Sequence, residues 1–395
     1  MACQSRKLGV LPGRRVLYIA SSPNLLGGAE HCLVDIVAAI GSTGWEPHVV
    51  VPGEGSLAEA LRQRDVPVFV EDLGVLRHRG EARSPKLALR LATSMRAARR
   101  IRRVIRDHDI LVVHSNAAGV VAGAIAARRA GIPHVWHVRE LLHGRVWDVL
   151  RRAMYRYSST IVCISRCVAD HVEGGAIGST PVVVIADGID ISKFSPSYGP
   201  ASNGTVVMLS RIHPDKGHEE FIRSAALLAP RFPQAEFLMA GGCLPVYEPL
   251  QQTYLALIEQ LGLTGRAKFL PNLSRSEAAA LIKRSDVVVV PSTWVEPGGL
   301  VVLEAMASGK PVVAPDRGGP AEVIQDGVNG FVVPVHDPAR IAAAVERLLS
   351  DPELCAEVGM RARERVQHDF DVRTQVQTLH ELYTKLVGNE AATCV

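Results

Sequence analysis

Short runs of Val, Ile and Leu alternate along most of the chain with longer stretches in which apolar residues recur at helical spacing. The first run, Arg15-Val-Leu-Tyr-Ile-Ala20, leads through a glycine-rich turn into a helical stretch from Glu30 to Ile40. Further strands are predicted at His48–Val51, Val66–Glu71, Ile110–His114, His134–Val138, Thr160–Ile164 and Val182–Ile185, each beside a helix-period stretch. The segment Gly188–Thr205 is dense in Gly, Pro and Ser and reads as a linker. Beyond it the alternation restarts, with strands at Val206–Ser210, Glu236–Ala240, Lys268–Leu270, Val287–Pro291, Pro311–Ala314 and Gly330–Val333. Helices from Ala339 to Val387 close the chain. Continuous apolar strands between helices are the pattern of parallel sheets covered on both faces. The expectation is an α/β protein of two Rossmann-like doubly wound domains facing each other across a cleft, at 1–195 and 205–375, with a last helix over 376–395. Ligands in such sheets sit outside the carboxyl ends of the strands, so the loops after each strand are where chemistry is sought.

At 395 residues the chain exceeds one ordinary core, and two domains of about 190 residues each fit the usual size. A composition 47% hydrophobic and 21% charged excludes disordered and fibrous classes. Aromatics are scarce at 5%, so aliphatic residues carry the burial. No apolar run approaches the roughly 20 residues needed to cross a bilayer, and the basic start from Met1 to Arg15 reads as a frayed tail with no signal peptide. The seven cysteines (Cys3, Cys32, Cys163, Cys167, Cys243, Cys355, Cys394) are scattered, and Cys163 and Cys167 have no second ligand pair nearby. That pattern predicts reduced thiols in a cytoplasm and no zinc site.

The net charge of +4 conceals a positive first half and a negative second half. The excess concentrates in Arg83–Arg106, where Arg96, Arg99, Arg100, Arg102, Arg103 and Arg106 alternate with Leu89, Leu91, Met95, Ile101, Val104 and Ile105. This is a basic amphipathic helix with two readings. Either its apolar stripe packs on its own sheet and the arginines are solvated, or the basic face makes a peripheral contact with anionic lipid or an anionic acceptor at the inner membrane face. No aromatic platform accompanies the charge, so no nucleic-acid partner is expected.

The most informative loop is Val287–Gly319. A buried strand runs into Pro291, Glu296 follows, and Pro297-Gly298-Gly299 break the chain just before a helix over Leu300–Ser308. Two glycines ahead of a helix let backbone N–H groups approach an anion, and the helix dipole adds about half a positive charge there. A diphosphate is the natural guest. Glu304, a little over one turn inside the helix, can reach neutral hydroxyls such as those of a ribose, although alone it reads equally as a surface carboxylate. Glu296 can accept hydrogen bonds from sugar hydroxyls. After Val206–Ser210, Arg211 leaves a strand end and Lys216-Gly217 opens a helix over Glu219–Leu228. Two cations there can neutralise charge on a departing diphosphate; a plain basic turn is the alternative for Lys216. The first domain offers Gly27-Gly28, a tight turn that lacks the three-glycine dinucleotide fingerprint. It also places His137 at a strand's carboxyl end, where a lone histidine is usually structural.

Taken in order, these residues resemble glycosyltransferase family 4. The run from Glu296 to Glu304 is similar to that family's Glu-x7-Glu signature. Gly27-Gly28-Ala29-Glu30, His137, Ile164-Ser165, Asp187-Gly188-Ile189-Asp190, Arg211 with Lys216-Gly217, Ala240-Gly241-Gly242, Ser285-Asp286 and Gly318-Gly319 agree with it. The likeness runs from about Arg15 to Leu386. It implies the GT-B fold and a retaining hexosyltransferase moving a sugar from a nucleotide-diphosphate donor, UDP-sugars ahead of GDP-sugars. The acceptor hydroxyl would belong to a small molecule, a glycan or a lipid-linked compound. Arg211 and Lys216 would bind the donor diphosphate, Glu304 the ribose, Glu296 the transferred sugar, and His137 its 6-position side. Gly298, Gly299 and Leu300 would hold phosphate or sugar oxygens, and Gly27-Gly28 would face donor and acceptor. The last helix would cross back to the first domain. Catalysis would be a front-face displacement with no metal and no other cofactor. Asp107-His-Asp109 and Asp369-Phe-Asp371 fit an Asp-x-Asp metal pattern but fall at a strand start and among helices. The family often has Phe-Gly where Gly298-Gly299 stand and Asn-Gly where Asp187-Gly188 stand. Two rivals share the fold: a nucleotide-sugar epimerase, and a non-catalytic partner subunit that would ordinarily have lost the Arg, Lys or Glu positions kept here.

Overall fold

The computed structural model describes residues 13–25, 27–76, 85–175, 178–198 and 204–393. The tail before residue 13, Cys3, Arg83, Cys394 and the linker positions 199–203 lie outside the described residues. The chain packs as two compact units. The first holds residues up to Cys163, Val168–Ile185 and the chain from Gln375 onward; the second holds Ile164–Cys167 and Ala186–Thr374.

The first unit contains strands β1 (Arg14–Ile19), β2 (Trp45–Val51), β3 (Val68–Val70), β4 (Ile110–Ser115), β5 (His134–Val138), β6 (Thr160–Cys163) and β7 (Val182–Val184). They form one parallel sheet in the order β3-β2-β1-β4-β5-β6-β7. Between them run helices α1 (Gly28–Ile40), α2 (Ser56–Arg62), α3 (Pro85–Asp107), α4 (Val121–Ala130), α5 (Arg145–Tyr157) and α6 (Arg166–Glu173). Two strands of this sheet differ most from the pattern-based expectation. β2 begins at Trp45, whose buried indole supplies the apolar signal that Glu46-Pro47 obscure. β3 keeps only three residues because it is an edge strand, paired to β2 alone and half exposed.

The core around β1 and β4 explains why this half is rich in alanine. Leu17, Ile19 and Val113 pack against Ala97, Ala98 and Ile101 of α3 and Ala122, Ala126 and Ala127 of α4. Small side chains bring those helices close to the sheet. A Cβ on Gly123 would stand 2.5 Å from Ser115 Oγ.

The second unit contains β8 (Thr205–Leu209), β9 (Glu236–Ala240), β10 (Ala267–Leu270), β11 (Val287–Val289), β12 (Val312–Pro315) and β13 (Phe331–Val333). This second parallel sheet has the order β10-β9-β8-β11-β12-β13. Its helices are α7 (His218–Leu228), α8 (Glu248–Gln260), α9 (Arg275–Arg284), α10 (Leu300–Ala307), α11 (Gly319–Val323), α12 (Pro338–Ser350) and α13 (Pro352–Asp369), and α14 (Val372–Thr393) ends the described chain. Apolar clusters cover both faces: Phe221, Tyr254, Val345 and Leu348 on one, Val302, Met306, Ala362 and Val366 on the other. The Gly/Pro/Ser segment is more ordered than its composition suggests. Ile189 pairs with Asp371, and Ile191 and Phe194 join the second core, so the long stretch of the second unit begins at Ala186, inside the first predicted domain's bounds.

Candidate functional site

In the second unit the loops after β8, β9, β11 and β12 converge, and glycine decides how closely. Gly217 adopts φ +75, and a Cβ there would stand 1.9 Å from the Pro291 carbonyl oxygen. Gly318, at φ +72, would meet the Glu296 carbonyl at 2.3 Å, and the Gly319 amide donates to that same oxygen at 2.8 Å. These contacts exclude side chains and hold Lys216 and Glu296 beside each other.

Lys216 Nζ donates to Glu296 Oε1 at 2.5 Å, and the Ser292 hydroxyl donates to the same oxygen at 2.5 Å. Lys216 also stands 5.8 Å from the centre of the Trp294 ring. Both members of the ion pair are mostly buried, with side-chain exposures of 20% and 14%. Arg211 follows β8 and is exposed, with no hydrogen bond or ion pair from its guanidinium to the described residues. Gly299 caps α10 with no side-chain cap bond, so the amides at this helix start, Leu300 included, keep no capping partner of that kind. Gly298 precedes it, and a Cβ there would stand 3.0 Å from Ile164 Cδ1. Glu304 lies inside α10, is 8% exposed, and accepts from Arg275 Nε at 3.1 Å. Arg275 starts α9, which is closed by a Ser274–Glu277 capping box. Ser165 Oγ donates to the Pro297 carbonyl at 2.5 Å within this unit.

In the first unit the site residues cluster at the carboxyl ends of β1, β4 and β5. Gly27 caps α1 in an extended conformation, and Gly28 is the first helical residue. A Cβ on Gly27 would stand 3.4 Å from Glu30 Oε2. Glu30 is 8% exposed, and burial raises its pKa above the usual carboxylate value, with Arg139 opposing that rise. His137 on β5 is fully buried. Its Nδ1 lies 3.0 Å from His114 Nε2 and 3.5 Å from Arg139 Nη2. Burial first, and the Arg139 charge second, hold the imidazoles of His114 and His137 well below the ordinary histidine range. Arg139 Nε donates to Asn116 Oδ1 at 3.1 Å. The Glu140 carboxylate accepts from the Arg139 and Ala118 amides at 3.1 and 3.2 Å, and burial raises its pKa.

The candidate residues thus fall in two sets: Gly27, Gly28 and His137 in the first unit, and Arg211, Lys216, Glu296, Gly298, Gly299, Leu300 and Glu304 in the second. Pattern reading missed Arg275, Ser292 and Trp294, which lack a motif of their own. It gave no role to Glu30, Arg139 or Glu140, although an arginine and a carboxyl directly after a strand were a usable signal. Among the described residues no group of three His, Cys, Asp or Glu is arranged to hold a metal ion. The Asp-x-Asp runs serve ion pairs: Asp107 with Arg106, Asp109 with Arg15, Asp369 with Arg365 and His368, Asp371 with Arg373.

Residues 192–365 match the family of glycosyl transferases group 1, and residues 26–193 match glycosyltransferase family 4. A GDP-mannose-dependent alpha-(1-6)-phosphatidylinositol monomannoside mannosyltransferase of Mycolicibacterium smegmatis is 31% identical over 311 residues, 72% of this chain and 79% of that protein. A putative glycosyltransferase, EpsD of Bacillus subtilis, is 26% identical over 86% of this chain and 89% of its own length. The crystal structure of Anabaena HepE with UDP and glucose is similar at a TM-score of 0.80 and 25% identity, covering 94% of this chain and all of that one. With two parallel-sheet units, matches in both halves and these relatives, the chain belongs to the group 1 and family 4 glycosyltransferases of GT-B fold.

Proposed function

We propose that the chain is a retaining transferase that takes a hexose from a nucleoside diphosphate sugar without a metal ion. The observation that carries this reading is the Lys216–Glu296 pair beside the open start of α10, with Arg211 unpaired nearby and Glu304 held by Arg275. A diphosphate needs cations and free amides, and a ribose needs a fixed carboxylate. On donor binding Lys216 exchanges Glu296 for phosphate oxygens, and Glu296 turns to sugar hydroxyls. Arg211, Lys216 and the helix dipole then stabilise the departing diphosphate, the task a metal performs in other enzymes. UDP-sugars come first because HepE holds UDP, with GDP-sugars second on the mannosyltransferase relative. A thermal-shift screen of UDP, GDP, ADP and TDP with their sugars, with and without EDTA, tests this reading. One nucleotide should raise the melting temperature regardless of EDTA, by about 2.7 kcal/mol of stabilisation at a hundred times its Kd. The shift should vanish in Glu304→Ala. A shift that needs a divalent ion would overturn the metal-free mechanism.

The acceptor reading that a specific observation favours is lipid-linked. On α3, Arg99, Arg102 and Arg103 are exposed while Leu89 and Leu91 stand 63% and 43% exposed, so the helix shows both charge and apolar surface to solvent. Arg129 of α4 joins Arg99, Arg102, Arg103 and Arg106 around one basin. Such a surface suits peripheral contact with an anionic membrane. Among the described residues no helix is long and apolar enough to cross one. Co-sedimentation with phosphatidylglycerol vesicles at low salt should capture the protein, and neutral vesicles should not. Equal recovery with both removes the membrane contact.

A further inference from the structure

Five arginines of the first unit close on one basin of about 760 Å³: Arg99, Arg102, Arg103 and Arg106 of α3, and Arg129 of α4. That volume falls in the range of small-molecule sites, about 300–1,000 Å³. The basin is short of acid. Arg99, Arg102, Arg103 and Arg129 are exposed, and their guanidinium groups make no hydrogen bond or ion pair with the described residues. Arg106 pairs with Asp107, and Asp109, the carboxylate at the rim, pairs with Arg15. Arg100, which does not line the basin, pairs with Glu71. Four cations are thus left facing one another without a counter-charge.

Helix chemistry alone does not call for them. Arg99 stands three and four residues from Arg102 and Arg103, and both of these stand four and three from Arg106. At those spacings like charges repel along a helix. The macrodipole rewards cations in the last turn only; that accounts for Arg106 and Arg129, whereas Arg99, Arg102 and Arg103 precede that turn. A solvated charged helix interleaves acids with its bases, and α3 has one acid, Asp107, as its final residue. Every cation here is arginine, whose planar fork grips two oxygens of one phosphate; a diffuse anionic field would be met as well by lysine. Among the described residues no aromatic ring lines the basin, so a nucleotide base has no platform to stack on.

We propose that this basin is a phosphate site separate from the loops at the carboxyl ends of the strands, and that its ligand presents two phosphate groups side by side. Four unpaired guanidinium groups match two phosphates, each held by two forks. Ile110, in the basin wall, opens β4. That strand's six residues span roughly 17 Å, at about 3.3 Å per residue, before the end of the sheet where His137 and Gly27-Gly28 cluster. The site therefore takes no part in sugar transfer, and it needs neither the donor chemistry nor the membrane contact proposed above. A soluble diphosphate and adjacent phosphomonoester head groups of a lipid surface offer the same chemistry.

Calorimetric titration of the full chain with inorganic pyrophosphate tests the site. Arg99→Gln/Arg103→Gln removes two exposed cations, and Arg102→Gln/Arg129→Gln removes the other two. Each double variant should lose, by at least tenfold in affinity, a binding event that Arg211→Gln retains. Both should melt no lower than the wild type, since repelling charges are gone. Sulfate at equal ionic strength should bind at least tenfold more weakly than pyrophosphate. Pyrophosphate binding that is unchanged in both double variants, or equal affinity for sulfate, would overturn the site. Vesicles separate the two sources. Capture by phosphatidic acid in phosphatidylcholine, lost in the double variants and displaced by pyrophosphate, assigns a lipid head group. Pyrophosphate binding without such capture assigns a soluble ligand. No nucleotide or sugar transfer enters these readouts, so their failure leaves the nucleotide screen standing, and the reverse.

Discussion

Lys216 and Glu296 neutralise one another across 2.5 Å at the mouth of the second sheet, and both side chains are mostly buried. Removing one partner of such a pair leaves the other's charge buried and uncompensated. Lys216→Ala should therefore lower the melting temperature, and should also slow sugar transfer at least tenfold, about 1.4 kcal/mol of barrier. Steady-state rates with the donor identified by thermal shift check this, and a variant with full turnover would remove Lys216 from the leaving-group role. Lys216, Glu296 and Glu304 were legible in the sequence because each sits at a fixed offset from glycines that punctuate a strand-to-helix turn. Arg275, 29 residues before Glu304, and the His114–His137 contact were not. Those partners arrive from other strands or helices, and no local spacing encodes them.

At the scale of elements, the strand-to-helix turns depend on glycine for two separable reasons. Gly217 needs the left-handed region and also lacks room, since its Cβ would meet the Pro291 carbonyl at 1.9 Å. Gly262 has a similar φ of +65 with nothing within 4 Å. Gly262→Ala should cost about 1 kcal/mol, the backbone penalty alone. Gly217→Ala should cost at least about 2 kcal/mol more and should also weaken nucleotide binding, because the loop carrying Lys216 must move away from Pro291. Urea denaturation of the two variants measures the difference, and equal losses would mean that the close approach carries no energy. The glycine itself was visible in the sequence; the carbonyl that crowds it was not, because it lies 74 positions away.

For the whole molecule, buried histidines make stability fall with acid. Burial lowers the pKa of His134 to about 3 and that of His218 to about 4. An unfolded histidine gains its proton near pH 6.5. Below that pH the unfolded chain binds protons that the native state refuses, so the stability these residues support is complete above about pH 6.5 and is lost progressively toward pH 4. Glu30 and Glu140 act in the opposite sense, since burial raises their pKa and acid relieves the cost of their charge. His218 stacks on Tyr254, and His218→Phe should keep that contact while flattening the fall of melting temperature between pH 6.5 and 4. An unchanged slope would show that His218 does not drive it. The sequence by itself determined the two runs of parallel strands, because strands buried on both faces must be apolar throughout and crossover helices must show a 3.6-residue period. It also determined the glycine-flanked loops, because backbone that approaches an anion or another strand cannot carry a Cβ. Only the tertiary structure decided that Arg275 holds Glu304, that the linker's Ile189 and Phe194 belong to the second core, and that Tyr383 of the last helix lies against His114. Those pairings join residues far apart in the chain, and what selects them is the three-dimensional fit of side chains and charges in a core, which no local pattern records.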